Sequence, residues 1–411
     1  MLLLRLGFRN LLRNKRRTFL TMSAMIAAVG LLMFILGMNE GFIWGLINSA
    51  TETVHGHVTI SDREYFDRPS INRTIPHDDL FRKELLAHSG VKGLCGRISC
   101  FALLSCGKEE SGQTQAAELL GIDPGEERNV SRLEKCVYKG RFLSESKGKG
   151  ILLGEGLANR LEASIGNEVV MMGQASDGSV AAEVFKVEGL VNTGDTGRDA
   201  SLALVGRGVL QEIFVLGNRL HKWNLFLKDP LQARKIAGEL EKKYPAYLPT
   251  IWQKLIPQIA VVLDIWGGIQ VFTMLIFYFA VFLVTVNTMN MAFLERLREF
   301  AILGAIGLTK VRMAILIVAE GFILSTVSGF VGGVLGITLN LLLMHFPIDL
   351  SGVIPPISYG GGALPAQLAC QVTSFNTFMP IFAMIILGCV VALFPVWKLV
   401  RLRPVEALRD S

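Results

Sequence analysis

The chain has 411 residues, 51% of them hydrophobic and only 18% charged, a low charge fraction for a soluble globular protein. Its formal charge of +6 collects beside long apolar runs, so the basic balance requires no nucleic-acid partner. No G-x-x-x-x-G-K-[ST], G-x-S-x-G or H-E-x-x-H pattern occurs, which leaves this chain without those phosphate-cradling, acyl-transfer and zinc-protease devices.

Residues 1–17 carry Arg5, Arg9, Arg13, Lys15, Arg16 and Arg17 and no acid. They read as a cytoplasmic amphipathic helix. Residues 18–39 carry no Asp, Glu, Lys or Arg. A bilayer core of about 30 Å needs about 20 apolar helical residues, so this run can span it. Glu40, Gly41, Phe42 and Ile43 follow, with no A-x-A-like cleavage site, and the reading is an uncleaved anchor. Met22, Met25, Met33, Phe34 and Met38 read as lipid-facing filler; the sharper alternative is an adaptable surface for an acyl chain.

Residues 40–264 are long enough for a domain with its own core. "HGHVTIS" alternates like a strand. "HDDLFRKELLAHSG" reads as a capped helix stopped at Gly90, and "GILLGEGLANRLEASIGNEVVMMG" as strand, turn, helix, strand. "VFKVEGLVNTG" reads as a further strand, and "ARKIAGELEKKYP" as a helix stopped by Pro245. The pattern is α+β. His55 and His57 fall on one strand face, but no second ligand pair follows at a metal spacing, so no metal is expected. Cys95, Cys100, Cys106 and Cys136 lie here and Cys370 near a later loop; an oxidising compartment permits bridges whose pairing stays open.

Residues 265–294 form a second uncharged run, roughly 45 Å long as a helix. It exceeds the bilayer and continues as a stalk. Residues 295–312 pack Glu295, Arg296, Arg298 and Glu299 together, then turn small through Ala301, Gly304, Ala305 and Gly307, and close with Lys310 and Arg312. Residues 313–346 form the third span. Glu320 within it is a functional candidate by depth; pairing with a basic residue near the inner surface is the favoured structural reading. Gly329 with Gly333 and Gly332 with Gly336 make two G-x-x-x-G patterns, which predict close helix packing within the chain or across a dimer. Residues 347–371 are a Pro- and Gly-rich loop, 372–397 a fourth span holding Cys389 as a packing residue, and 398–411 a tail.

Orientation follows from basic residues beside the spans. Segments 1–17, 295–312 and 398–411 together carry a net +10, and residues 40–264 a net −2. Both termini and the 295–312 loop are therefore expected in the cytoplasm. The fold class is a membrane protein with four transmembrane helices and a large α+β periplasmic domain between helices 1 and 2.

"NTMNMAFLERLREFAILGAIGLTKVRMAILIVAEGFILS" resembles the core signature of the FtsX-like permease family, the membrane subunits of MacB-type ABC systems. "GFRNLLRNKRRTFLT" and "PVWKLVRLRPVEALRD" resemble its opening and closing motifs, and "GILLGEGLANRLEASIGNEVVMMG" and "GIDPGEERNVSRLEKCVYKGRFL" its periplasmic core domain. "TVHGHVTIS" is most similar to the lipoprotein-releasing branch. The resemblance implies a cytoplasmic ABC ATPase dimer that binds ATP and Mg, no cofactor in this chain, and a second permease, identical or paralogous. It also implies a lipoprotein substrate, a periplasmic carrier and lipid contact. A coupling helix over Phe300 to Leu308 would dock to the ATPase, with Ala301, Gly304, Ala305 and Gly307 for close approach and Leu303 and Ile306 as anchors. Arg296, Arg298, Glu299 and Lys310 would set register at its rim. An acyl-chain cavity would be lined by Met33, Phe34, Val271, Leu275 and Phe279. Export of a small hydrophobic compound or peptide, regulation of a cell-wall hydrolase without transport, and a receptor without an ATPase are the alternatives.

Overall fold

The computed structural model describes residues 15–107, 113–350, 358–359, 362–363 and 367–401. The basic stretch with Arg5, Arg9 and Arg13, the tail from 402 with Arg403 and Arg409, and the Ala305 side chain lie outside the described residues. The chain divides into two compact units: residues 1–44, 264–350 and 367–411, and residues 45–263 and 351–366.

In the first unit, four helices among the described residues are long and apolar enough to cross a membrane. Helix α1 runs Lys15–Ala50. The other three come after residue 256. Their packing follows from small residues, because lipid supplies no hydrophobic force between helices and close backbone approach must do so.

The second unit is built on a ten-stranded sheet, ordered β12-β1-β11-β3-β4-β9-β6-β8-β5, with β7 pairing β3 and β8. The strands are β1 Val58–Asp62, β2 Ile75–Pro76, β3 Val91–Cys106, β4 Gln113–Ile122, β5 Val137–Gly140, β6 Gly150–Gly154, β7 Glu168–Gln174, β8 Val180–Val191, β9 Leu202–Gly206, β10 Arg219–Leu220, β11 Lys222–Leu227 and β12 Tyr247–Ile251. β2 and β10 form a separate pair. β6 and β9 are apolar throughout and fully buried, as expected of strands covered on both faces. The principal helices around them are α2 Asp79–Leu86, α3 Pro124–Val130, α4 Glu155–Arg160, α5 Arg207–Ile213 and α6 Ala233–Lys243. Asp78 caps α2 through a bond from Leu80 N at 3.0 Å, which satisfies a donor the first helical turn leaves open. A core of Val54, Leu120, Ile122, Leu133, Leu152 and Leu204 lies against the sheet.

The expected helix and strand types hold across this unit, with one exception. His55 closes a π-helical turn, Thr51–His55, rather than opening a strand. Gly56 at φ 68° reverses the chain there, a left-handed conformation that glycine tolerates without steric cost. The two histidines therefore share no strand face. All six cysteines are free.

The membrane unit continues with α7 Pro257–Glu295, α8 Leu297–Ala305 and α9 Lys310–His345. The fourth apolar helix, α10, spans Ser374–Arg401. α1 and α7 outrun the charge-free windows 18–39 and 265–294 because a polar side chain on an exposed turn ends an apolar run without ending a helix. Pro257 opens α7, where its missing N–H costs nothing.

Candidate functional site

The site lies at the turn between α7 and α9. Arg296 breaks the helix with φ −107° and ψ 13°, and its carbonyl accepts from Phe300 N at 3.1 Å to start α8. Phe300 and Ala301 turn inward with Leu297, and the Phe300 ring stacks on Phe293 at 5.6 Å. Met313, Leu316, Ile317, Val391 and Leu399 complete this cluster. At the far end, Leu308 N bonds Leu303 O at 2.9 Å and Gly307 N bonds Gly304 O at 3.1 Å. With Gly307 at φ 97° this is a Schellman stop, which satisfies the last carbonyls of the helix.

Electrostatics pin the near end. Arg296 Nη1 donates to Glu320 Oε1 at 2.7 Å and Oε2 at 3.0 Å. Its Nε donates to Glu299 at 3.2 Å, and the guanidinium lies 5.3 Å from the Phe300 ring centre. Lys310 Nζ donates to Val400 O at 2.7 Å across to α10.

These placements revise the expected coupling surface. The helix starts at Leu297 and ends at Ala305, earlier than Phe300 to Leu308. Phe300 and Ala301 are anchors into the protein's own helices, so neither is offered to a partner. Arg296 is half-buried and paired with the intramembrane Glu320, so it does not stand at a rim. Leu303 and Gly304 are partly covered, and Gly304 faces Met313. Arg298 is exposed and Glu299 partly buried. The outward apolar side chains are Ile302 and Ile306, the latter 79% exposed.

The other predicted residues separate into two groups. Val271, Leu275 and Phe279 lie one turn apart on α7 and are 57%, 63% and 62% exposed, a continuous apolar stripe. Phe34 is partly buried. Met33, at 1% exposure, packs with Met25, Val29, Leu324 and Met384. It is an interhelical packing residue, because Gly336 leaves room for it on α9. A Cβ on Gly336 would approach Met33 Cβ to 2.7 Å, and one on Gly332 would approach Ile26 O to 2.7 Å. Gly333 and Gly329 instead face Ile381 of α10. The two G-x-x-x-G patterns thus take two different neighbours within one chain. The buried Asn340, which donates to Met33 O at 2.9 Å, was missed by the sequence reading; a lone Asn in an apolar run was the available signal.

A second feature missed from sequence lies in the outer unit. Arg97 and Glu127 are fully buried and form a two-point pair, Nε–Oε1 2.7 Å and Nη2–Oε2 2.8 Å. Arg97 also donates to Thr53 O at 2.9 Å and to Val54 O, and Asn224 Nδ2 donates to Val54 O at 2.8 Å. The π-helical turn that continues α1 is held by these bonds. His55 Nε2 lies 2.7 Å from Arg198; burial and that neighbouring cation hold its pKa well below the ordinary histidine value. On the sheet, Phe101 and Leu103 of β3, Met172 of β7 and Val184 of β8 stay exposed. Leu103 pairs with Met172 and Val170 with Val184, so the apolar row crosses three strands.

Four membrane-length helices, a large α+β domain between the first two and an anchored short helix between the second and third define a polytopic membrane protein. Residues 18–243 match the family described as MacB-like periplasmic core domain, and residues 271–404 the FtsX-like permease C-terminal family. The chain belongs to the FtsX-like permeases of ABC transporters that carry a MacB-like periplasmic core domain, and is a bacterial inner-membrane protein. It is similar to the lipoprotein-releasing system transmembrane protein LolC of Neisseria meningitidis, 26% identical over 435 residues and 98% of each chain. It is also similar to LolE of Haemophilus influenzae, 23% identical over 94% of this chain and 93% of that one. The solved periplasmic region of MacB from Actinobacillus actinomycetemcomitans matches 53% of this chain and 95% of its own, at 16% identity and a TM-score of 0.36.

Proposed function

We propose that this permease couples ATP hydrolysis by a cytoplasmic partner ATPase dimer to release of lipoproteins from the inner membrane toward a periplasmic carrier. Both termini and α8 are cytoplasmic in this reading, which the basic residues beside the spans support. A second permease, identical or paralogous, completes the membrane pair, and ATP and Mg are bound by the ATPase.

The observation that carries the reading is the build of α8. One face is anchored by Phe300, Ala301 and the Arg296–Glu320 pair, and the other presents Ile302 and Ile306. A push on the outer face is delivered to α7 and α9 instead of being absorbed by a loose loop. The exposed stripe Val271, Leu275 and Phe279 offers an apolar wall for acyl chains, each buried CH₂ contributing about 0.8 kcal/mol. The row around Phe101, Leu103 and Met172 suits a carrier with an apolar mouth. Full-length similarity to LolC and LolE favours lipoproteins over the export and hydrolase alternatives.

The test is copurification of the detergent-extracted complex, followed by a release assay with a lipidated substrate. Ile306→Glu is expected to lose the ATPase. Leu275→Asp is expected to keep the ATPase and its basal hydrolysis yet block release. If Leu275→Asp releases lipoprotein normally and depletion leaves lipoprotein sorting intact, the substrate assignment is wrong.

A further inference from the structure

A groove of about 660 Å³ runs between α9 and α10, on residues none of which belongs to the proposed acyl-chain wall. Its floor is made shallow-sided by Ala314, Ala319 and Cys389, and Phe322 and Leu393 stand beside them. Among the described residues, Lys310 is the sole charged one lining it. From Lys310 to Phe322 the helix rises roughly 18 Å, close to the ~15 Å depth of one leaflet of the hydrocarbon core. The bond from Lys310 Nζ to Val400 O keeps the ammonium at the mouth. Arg401 stacks over Trp397 at 4.0 Å at the same end of α10, a pairing suited to the membrane–water boundary. Arg312 and Arg401 are exposed there, and Lys398 partly so.

We propose that this groove binds one acyl chain of an anionic phospholipid, drawn from the leaflet at the Lys310 end. The length of the groove matches a chain that stops at mid-bilayer. The cationic mouth fits a phosphodiester bearing net negative charge. The chain's own residues 1–14 do not complement that mouth, since their charges are Arg5, Arg9 and Arg13 with no acid.

The experiment uses full-length protein, delipidated in detergent and titrated with phosphatidylglycerol or phosphatidylethanolamine, with bound lipids counted by native mass spectrometry. One phosphatidylglycerol per chain is expected to persist on the wild type, in preference to phosphatidylethanolamine. Lys310→Gln is expected to lower that preference about fivefold, the effect of one basic residue near a lipid surface. Ala319→Trp fills the floor and is expected to lose the retained lipid. Should that variant fold poorly, a photo-crosslinker at Val318 in otherwise native protein is expected to capture phospholipid in cells. Equal retention of both lipids by wild type and Lys310→Gln overturns the proposal. So does a Val318 crosslink to residues 1–14, to the C-terminal tail or to a second copy, which would show a protein occupant instead.

Discussion

Each unit contains a two-point Arg–Glu pair, and the two pairs differ in how closed they are. Arg97–Glu127 is fully enclosed, and the guanidinium's remaining donors go to the carbonyls of Thr53 and Val54. Arg296–Glu320 is partly open, with side-chain exposures of 16% and 11%, and Arg296 divides its donors between Glu320 and Glu299. An enclosed pair whose every partner is fixed has one arrangement. A pair with a second carboxylate within reach has a nearby alternative, which suits an element that must move while staying attached. The outer pair is therefore a staple, and the inner pair a bearing.

The strongest way to break this comparison is to unpair Arg97. Arg97→Met leaves Glu127 buried and alone, and is expected to cost about 3–5 kcal/mol of outer-domain stability in a thermal melt of the full-length protein. Arg97→Met with Glu127→Leu is expected to recover much of that loss, because the stranded charge goes with its partner. If the single variant melts like the wild type, the staple reading fails.

Acid sharpens the contrast next. His57 accepts from Leu227 N at 2.8 Å and His221 accepts from Ser99 N at 3.2 Å. Burial lowers the pKa of each to about 4. Between about pH 6.5 and 4 the unfolded chain takes up these protons and the folded domain does not. Their contribution is whole above pH 6.5 and is lost as the pH falls toward 4, by up to about 3 kcal/mol per histidine. Melts across that range are expected to show the decline, and His57→Gln to flatten part of it.

Glu320→Gln tests the bearing. It keeps a hydrogen-bond acceptor and removes the charge, for an expected loss of about 1–3 kcal/mol. Substrate-stimulated ATP hydrolysis is expected to fall while ATPase association persists. Loss of association instead would mean that Glu320 shapes the docking face itself. The smallest structural effect belongs to Ile306→Glu, within about 0.5 kcal/mol in stability because the residue is exposed. It is nonetheless expected to release the ATPase, measured by copurification.

The four spans, the inserted domain and most of its helices and strands were legible because each rests on a local pattern: charge-free runs, capping residues, alternation. Glu320 was legible as the acid that pairs near the membrane edge, although its partner was not. What escaped depends on neighbours far away in sequence. Nothing near Phe300 tells that it meets Phe293 and Met313 and not a partner chain. Met33 reads as a lining residue until Gly336 is seen to make room for it. Arg97 looks like any strand arginine until β3 sets it against Glu127, thirty positions later.

The glycine faces of α9 also bear on how the molecule is made. α1 enters the membrane first, yet its partner surface at Gly332, Gly336 and Asn340 is synthesised last but one, with Asn340 lying 307 positions after Met33. At ordinary translation speeds that interval is on the order of 15 to 60 s. During it the whole periplasmic domain emerges and can fold, while the Gly30 side of α1 waits in lipid without its counterpart. A chain truncated before α9 would keep that face uncovered, which gives membrane quality control a feature by which to recognise an unfinished permease.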